Sequence, residues 1–403
     1  MYPVSTIFAR GLGSRASTIT STLGGLSLGQ VNAESGKLSW ASDGRKVTGK
    51  LDLSVPDPRG ILAAPYGPLG WIGQQLVLRS GISRSSYEEL IPCGAWRIDD
   101  SGSVEQAWSM LARMHLVDVY ADIWSDVWSD VWGVWQYQQR VPVEGTGKVV
   151  RRGGKLSPSA VDLLSILEED EFIGLEQPLA GGTIRSEVLR LVGGRIPVAS
   201  SWPGVADPSV PASVTYDTNR LTTICSLAAV VNAVVWAGRS GELQFIPQPA
   251  VGATPVWTAT ATRVVKIIIA GNRTGLYNRF IVEGTDANGA ALRGVSDETT
   301  GPLAVSGRSP FGTVTYRHSD PLAKTQSAID AAAQTYHDRI VADRTVRVRI
   351  TVPADPSLDP LDVVAVTDPE GRVWTGPVVS CDMPLEPGVM VIEIPVPLSE
   401  VIP

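Results

Sequence analysis

The sequence predicts a mainly β protein with α+β insertions, in which two related antiparallel β-barrel modules flank a mixed α/β middle region. Three observations carry this reading. Runs of strict apolar–polar alternation, the period of a half-buried strand, stand near both ends of the chain. Gly 40 and Pro 29 among 403 residues give turn formers at about one position in six, which suits a turn-rich β protein better than a helical one. A strand closed by proline also recurs: Leu51-Asp-Leu-Ser-Val-Pro-Asp-Pro58 is echoed by Val348-Arg-Ile-Thr-Val-Pro-Ala-Asp-Pro356. A spacing of about three hundred residues excludes a solenoid and points to two modules, one near each end. The length is too great for a single ordinary core. The expected division is 1–140, a β-barrel-type module carrying a Trp-rich helix at 123–135; 141–262, mixed α+β; and 263–403, a second β-barrel-type module with a helix at 321–342.

The elements follow in order. The first fifty residues, rich in Ser, Thr and Gly, read as strands and loops. Val47, Leu51, Leu53 and Val55 alternate with polar residues until Pro56-Asp57-Pro58 stops the strand. Gln75–Arg79 and Leu90–Ile98 are further short strands, and no long helical pattern separates them, which favours antiparallel pairing. At 123–135 the pattern changes. At 100° per residue Trp124, Trp128, Trp132 and Trp135 fall within about 80° of one another, with Ile123, Val127, Val131 and Val134 extending that face. A strand would mix Trp with Asp126 and Asp130, so the spacing predicts a helix capped by Asp122.

In the middle region, Pro158 is expected to open a helical stretch with Val161, Leu164 and Leu167 on one side, ending in the acidic run Glu168–Glu171. Ser200–Pro211 is loop, and Leu221–Val231 is a short apolar helix. A turn at Gly238–Gly241 leads into the strand Leu243–Ile246, and prolines 247, 249 and 255 mark a boundary. Val264–Ala270 and Arg279–Glu283 are strand-like. Asp320-Pro321 places a cap and a first-turn proline before a helix. Val346–Val352 alternates as a strand. A meander follows through Asp362–Thr367, a turn at Asp368–Gly371, Arg372–Cys381 and Val389–Val396.

Composition narrows the chemistry. Lys+Arg 34 against Asp+Glu 41 leaves net charge −7, the wrong balance for gripping nucleic acid. Cys93, Cys225 and Cys381 form no CxxC pair, and His115, His318 and His337 have no ligand-like spacing, so neither a zinc site nor a disulfide framework is expected. The N-terminus lacks a basic start followed by an apolar run, and Leu221–Gly238 is too broken by polar residues to span a bilayer. The expectation is a chain made in the cytoplasm with no membrane span.

Four motifs compete for a catalytic reading. Gly11-Leu-Gly-Ser-Arg-Ala16 fits a loose dinucleotide fingerprint, yet the β-branched Ser17–Thr22 that follows is poor helix material. Gly25-Leu-Ser-Leu-Gly29 spells a nucleophile elbow without the helix or the nearby histidine it needs, and reads as a turn. The acids 168–171 offer the carboxylates of a glycosidase pair, but four adjacent acids at a helix end more often form a solvated cluster. Asp355, Asp359 and Asp362 lack the alternate spacing of a calcium loop. No catalytic, cofactor or metal set is therefore assigned. The Trp stripe is the strongest physical signal. Four indoles bury about 600–1,000 Å2, more than a soluble monomer leaves in water, so the protein's own core or a neighbouring subunit must cover them.

The chain resembles the tail hub, or minor tail, proteins of long-tailed actinobacterial phages, which are distantly akin to the baseplate hub of contractile tails. The resemblance lies in Gly44-Arg-Lys-Val-Thr-Gly-Lys-Leu-Asp-Leu-Ser-Val-Pro-Asp57, Pro65-Tyr-Gly67, Gln75-Leu-Val-Leu-Arg-Ser-Gly81, Ile91-Pro-Cys-Gly-Ala-Trp-Arg-Ile98, Leu358-Asp-Pro-Leu-Asp-Val-Val364 and the terminal meander. It is weakest between residues 100 and 200, and the Trp helix has no counterpart in it. It implies a non-enzymatic homotrimeric ring in the virion, at the end of the tail tube. The ring would contact the tube or distal tail protein on one side and tail-tip and receptor-binding proteins on the other, with the genome passing through unbound. Two similar modules per chain would let three chains continue a sixfold tube. Two rival readings remain: a tail-tip cell-wall hydrolase using Glu168 and Glu169, and a carbohydrate-binding adhesin using the Trp segment.

Overall fold

A computed structural model describes residues 2–5, 14–57, 62, 67–84, 87–102, 104–110, 149–211, 214–216, 219–250, 252–271, 276–286, 289–305, 311–319, 325–342 and 344–398. The first strands are β1 (Ser14–Leu23), β2 (Leu26–Val31), β3 (Ser35–Ser42), β4 (Val47–Pro56), β5 (Gln75–Arg84), β6 (Tyr87–Asp100), β7 (Val104–Met110), β8 (Val149–Leu156) and β9 (Ser159–Asp162). Helices α1 (Ser165–Glu168), α2 (Ile184–Val192) and α3 (Arg220–Val230) follow, then β10 (Ala233–Ala237) and β11 (Leu243–Pro247). The remaining strands before the long helix are β12 (Trp257–Ala259), β13 (Lys266–Ala270), β14 (Arg279–Thr285), β15 (Ala291–Asp297) and β16 (Thr315–Ser319). After α4 (Gln326–Ala342) come β17 (Thr345–Pro353), β18 (Val363–Thr367), β19 (Val373–Pro377), β20 (Ser380–Pro384) and β21 (Val389–Pro397). The protein is mainly β, as the sequence predicts, and its large sheets are antiparallel.

The chain divides into two compact units. The first holds Met1–Trp257 with Val352–Val363 and Val378–Ile392; the second holds Thr258–Thr351, Val364–Pro377 and Glu393–Pro403. In the first unit the strands run β20-β3-β4-β9-β6-β5-β1-β2, and the β7–β8 hairpin joins through β8 to β4. The β1–β2 hairpin turns at Gly24 and Gly25, whose φ values of 56° and 82° are the two left-handed positions a tight hairpin demands. Along β4 the alternation seen in the sequence buries Val47, Leu51, Leu53 and Val55. A second core lies around the helices, where Leu164, Leu167, Val188, Leu191, Ile224 and Ala228 meet Val235, Leu243 and Phe245.

In the second unit β13 pairs with β17, β18 joins β12 to β19, and β14 lies between β15 and β16. The β14–β16 pair is parallel, an exception to the antiparallel expectation. Helix α4 covers β14 and β15 by burying Ile329 and Ala333 against Val282 and Leu292. It matches the expected 321–342 helix from Gln326 onward, while the Asp320-Pro321 start lies outside the described residues.

Three expectations are corrected. Residues 159–162 are a strand, β9, rather than the start of a helix, and only Ser165–Glu168 is helical. The gap between β4 and β6 supplies partners on both sides (Leu51 and Ile98 both face Ala160), and that pairing outweighs helical spacing. The single strand expected over Arg372–Cys381 divides at Val378, where the backbone N–H donates to Asp362 instead. Finally, the described strands form open sheets and no closed barrel, so edges remain unpaired among the described residues. Among the described residues no helix is long and apolar enough to cross a membrane.

Candidate functional site

The acidic run is the first candidate, and its geometry is that of a brace. Lys46 Nζ lies 2.7 Å from Glu168 Oε1, Arg97 Nη1 donates to Glu169 Oε2 at 2.8 Å, and Asp170 takes Arg220 Nε at 2.9 Å together with Arg195. Glu168, Glu169 and Asp170 meet different bases, which come from just before β4, from β6, from the stretch after α2 and from the start of α3. The Arg97 hydrogen bond holds the Glu169 carboxyl below its ordinary range. Glycosidic chemistry needs one acid kept protonated, whereas here the neighbours of Glu169 favour its charged form.

Other motifs resolve locally. The dinucleotide-like segment is followed by strand β1 rather than a helix, and Gly11–Gly13 lie outside the described residues. In the elbow-like segment Gly25 makes the hairpin turn and Ser27 sits within β2. His318 Nε2 is 2.8 Å from the Tyr336 hydroxyl and His337 Nδ1 is 2.9 Å from Asp338; His115 lies outside the described residues. Asp355 accepts the Trp257 indole N–H at 3.0 Å, Asp359 pairs with Arg239, and Asp362 accepts the Asp359 backbone N–H at 2.8 Å. These carboxylates serve separate partners. Among the described residues no group of three His, Cys, Asp or Glu is placed to hold a metal.

Trp124, Trp128, Trp132 and Trp135 also lie outside the described residues. The strands on either side of them in sequence are described: β7 and β8 pair antiparallel with Met110 opposite Val149.

Sequence reasoning missed the most connected polar groups. Arg239, in the turn after β10, donates to Asp359 Oδ1 at 2.7 Å and to the carbonyls of Pro92, Pro356 and Leu358 at 3.0, 2.8 and 3.2 Å, with the Tyr2 ring 5.0 Å away. It clamps β6 and the 355–359 loop to that turn. Asp162, at the end of β9, accepts the backbone N–H of Gly49 and, at 3.0 Å, that of Leu164. Burial pushes its carboxyl up to about 6, against those two bonds. A small cavity of about 50 Å3 separates Asp162, Arg239, Trp40, Trp96 and Trp236. That space suits one or two waters better than a substrate.

Apolar residues are also exposed on a strand edge. Among the described residues β13 (Lys-Ile-Ile-Ile-Ala) pairs only with β17, and its consecutive Ile268 and Ile269 are 39% and 44% exposed. Neighbouring side chains on a strand point to opposite faces, so neither face of β13 is fully covered.

No family model matches the chain, and no curated protein sequence matches it. Solved structures do. The tail protein from Neisseria meningitidis MC58 aligns with TM-score 0.52 at 12% identity, covering 94% of this chain and 96% of that one. The 43 kDa tail protein of prophage MuSo2 from Shewanella oneidensis aligns with TM-score 0.55 at 12% identity, over 95% and 99%. The chain has a tail-protein fold. The likeness extends over nearly the whole length of the chain.

Proposed function

We propose that the protein is a structural hub of a phage tail: a non-enzymatic homotrimeric ring joining the tail tube or distal tail protein to tail-tip and receptor-binding proteins. The end-to-end likeness to two tail proteins carries this reading. The neutralised acids at 168–170 support it over a cell-wall hydrolase. In this reading the terminal regions, 1–140 and 263–403, act as two similar modules per chain, and three chains present six around a channel. Sheets that remain open in one chain are closed by neighbours in the ring. The net charge of −7 lets the genome slide past without being gripped. Trp124, Trp128, Trp132 and Trp135 form an apolar contact with the core or with an adjacent subunit. Imaging of tails carrying a labelled copy of this chain tests the assignment. Three labels at the end of the tube are expected, and label along the shaft, on the capsid or absent from the particle would overturn it.

A further inference from the structure

Among the described residues the largest sheet ends at β2 in the first unit and at β13 in the second. An edge strand leaves a row of N–H and C=O groups ready to pair, and proteins usually blunt such edges with charge, proline or a covering helix. On β13 the blunting is weak. Its apolar Ile268 and Ile269 are exposed, as is Val265 beside them at 64%, and Lys266 is its single charge. The two edges of the β15-β14-β16 sheet are better protected: β16 carries Arg317 and His318, and β15 carries Arg293 and Asp297 and packs under α4.

We infer that β13 of one copy adds to β2 of the next, a head-to-tail strand pairing that closes the ring; this rests on the hub reading. Pairing of β13 with β13 is ruled out as the ring contact because a self-complementary contact makes a twofold dimer, whereas a ring needs two different surfaces. β2 fits as the second surface. It is of matching length, six residues against five, and exposes Leu26. Charge is also complementary. Exposed Arg263 and Lys266 flank the β13 edge, while exposed Glu34 follows β2 and lines a recess of about 200 Å3 with Val31 and Glu386. Backbone hydrogen bonds would supply affinity, and these charges would set the register.

Disulfide trapping in the full-length chain tests this. Ile268→Cys is combined with Ser27→Cys or, for a shifted register, Gln30→Cys; native Cys93, Cys225 and Cys381 are buried, which keeps background low. The expected result is a non-reducing ladder of two and three linked chains that needs both cysteines. A ladder formed by Ile268→Cys alone and stopping at two chains would show β13 pairing with itself and overturn the inference. Ile268→Glu with Ile269→Glu is expected to reduce the native mass from three chains to one without shifting the unfolding midpoint. A trimer that survives this change, or that traps at neither β2 position, overturns the edge assignment and leaves the hub reading standing. A chain that stays monomeric in solution and does not trap on assembled tails removes the strand pairing, and tail imaging then decides the hub reading separately.

Discussion

At the scale of single residues, two groups hold the first unit together and make opposite predictions. Asp162 is buried, and its carboxyl is raised to about 6 where an unfolded chain's Asp titrates near 4. Between those values the folded state binds the extra proton, so this group's contribution to stability is greatest at low pH and is lost as pH rises through about 6. Denaturation of the wild type and Asp162→Asn across pH 4 to 8 should show the difference between them shrinking by about 2–3 kcal/mol as pH rises. A difference independent of pH would remove the burial argument. Arg239 is the reverse case, a charge satisfied by a carboxylate and three carbonyls. Arg239→Ala leaves Asp359 and those carbonyls without their donor and should cost about 3 kcal/mol or more. Arg239→Lys should recover only part, because an ammonium cannot reproduce the planar fork. Urea midpoints read both.

At the scale of elements, the helices show where local signals sufficed. α2 has Thr183 as N-cap, in a reciprocal box with Ser186, and ends at Gly193 with φ 55°. Both signals are plain in Thr-Ile-Arg-Ser and Val-Gly-Gly, although no helix was expected there. Thr183→Ala should destabilise the first unit by about 1 kcal/mol, and thermal melts would show a wild-type midpoint if the cap were idle. β4, β17 and the turn at Asp368–Gly371 were legible because one strand face is buried and the turn chemistry is local: Asp368 takes the Arg372 backbone N–H and the Trp374 indole. β9 was not legible. Four residues that pair on both sides obey their neighbours, and those neighbours lie about a hundred residues away in sequence on one side and sixty on the other.

At the scale of the whole molecule, function depends on edges, and edges are defined by what fails to pair. The three adjacent Ile residues of β13 lack alternation, so the sequence marked a strand there without marking whether its faces were covered. If association runs through that edge, then high salt should weaken the ring by screening Arg263 and Lys266 from Glu34, while apolar contact sustains part of it. Native mass measured from low to high salt would test this, and a ring indifferent to salt would exclude the charge pairing.

The sequence alone determined the mainly β class, most of the strands, the helix at 221–231 and, from Gln326 onward, the helix expected over 321–342. These rest on period, turn chemistry and composition, which neighbours in the chain dictate. Only the tertiary structure decided that the acids 168–170 brace distant elements, that Arg239 and Asp162 are polar anchors, and that β2 and β13 end the largest sheet among the described residues. The reason is physical: an ion pair, a desolvated carboxyl or an unpaired edge is a relation between segments remote in the chain, and no local pattern encodes which remote segment will arrive.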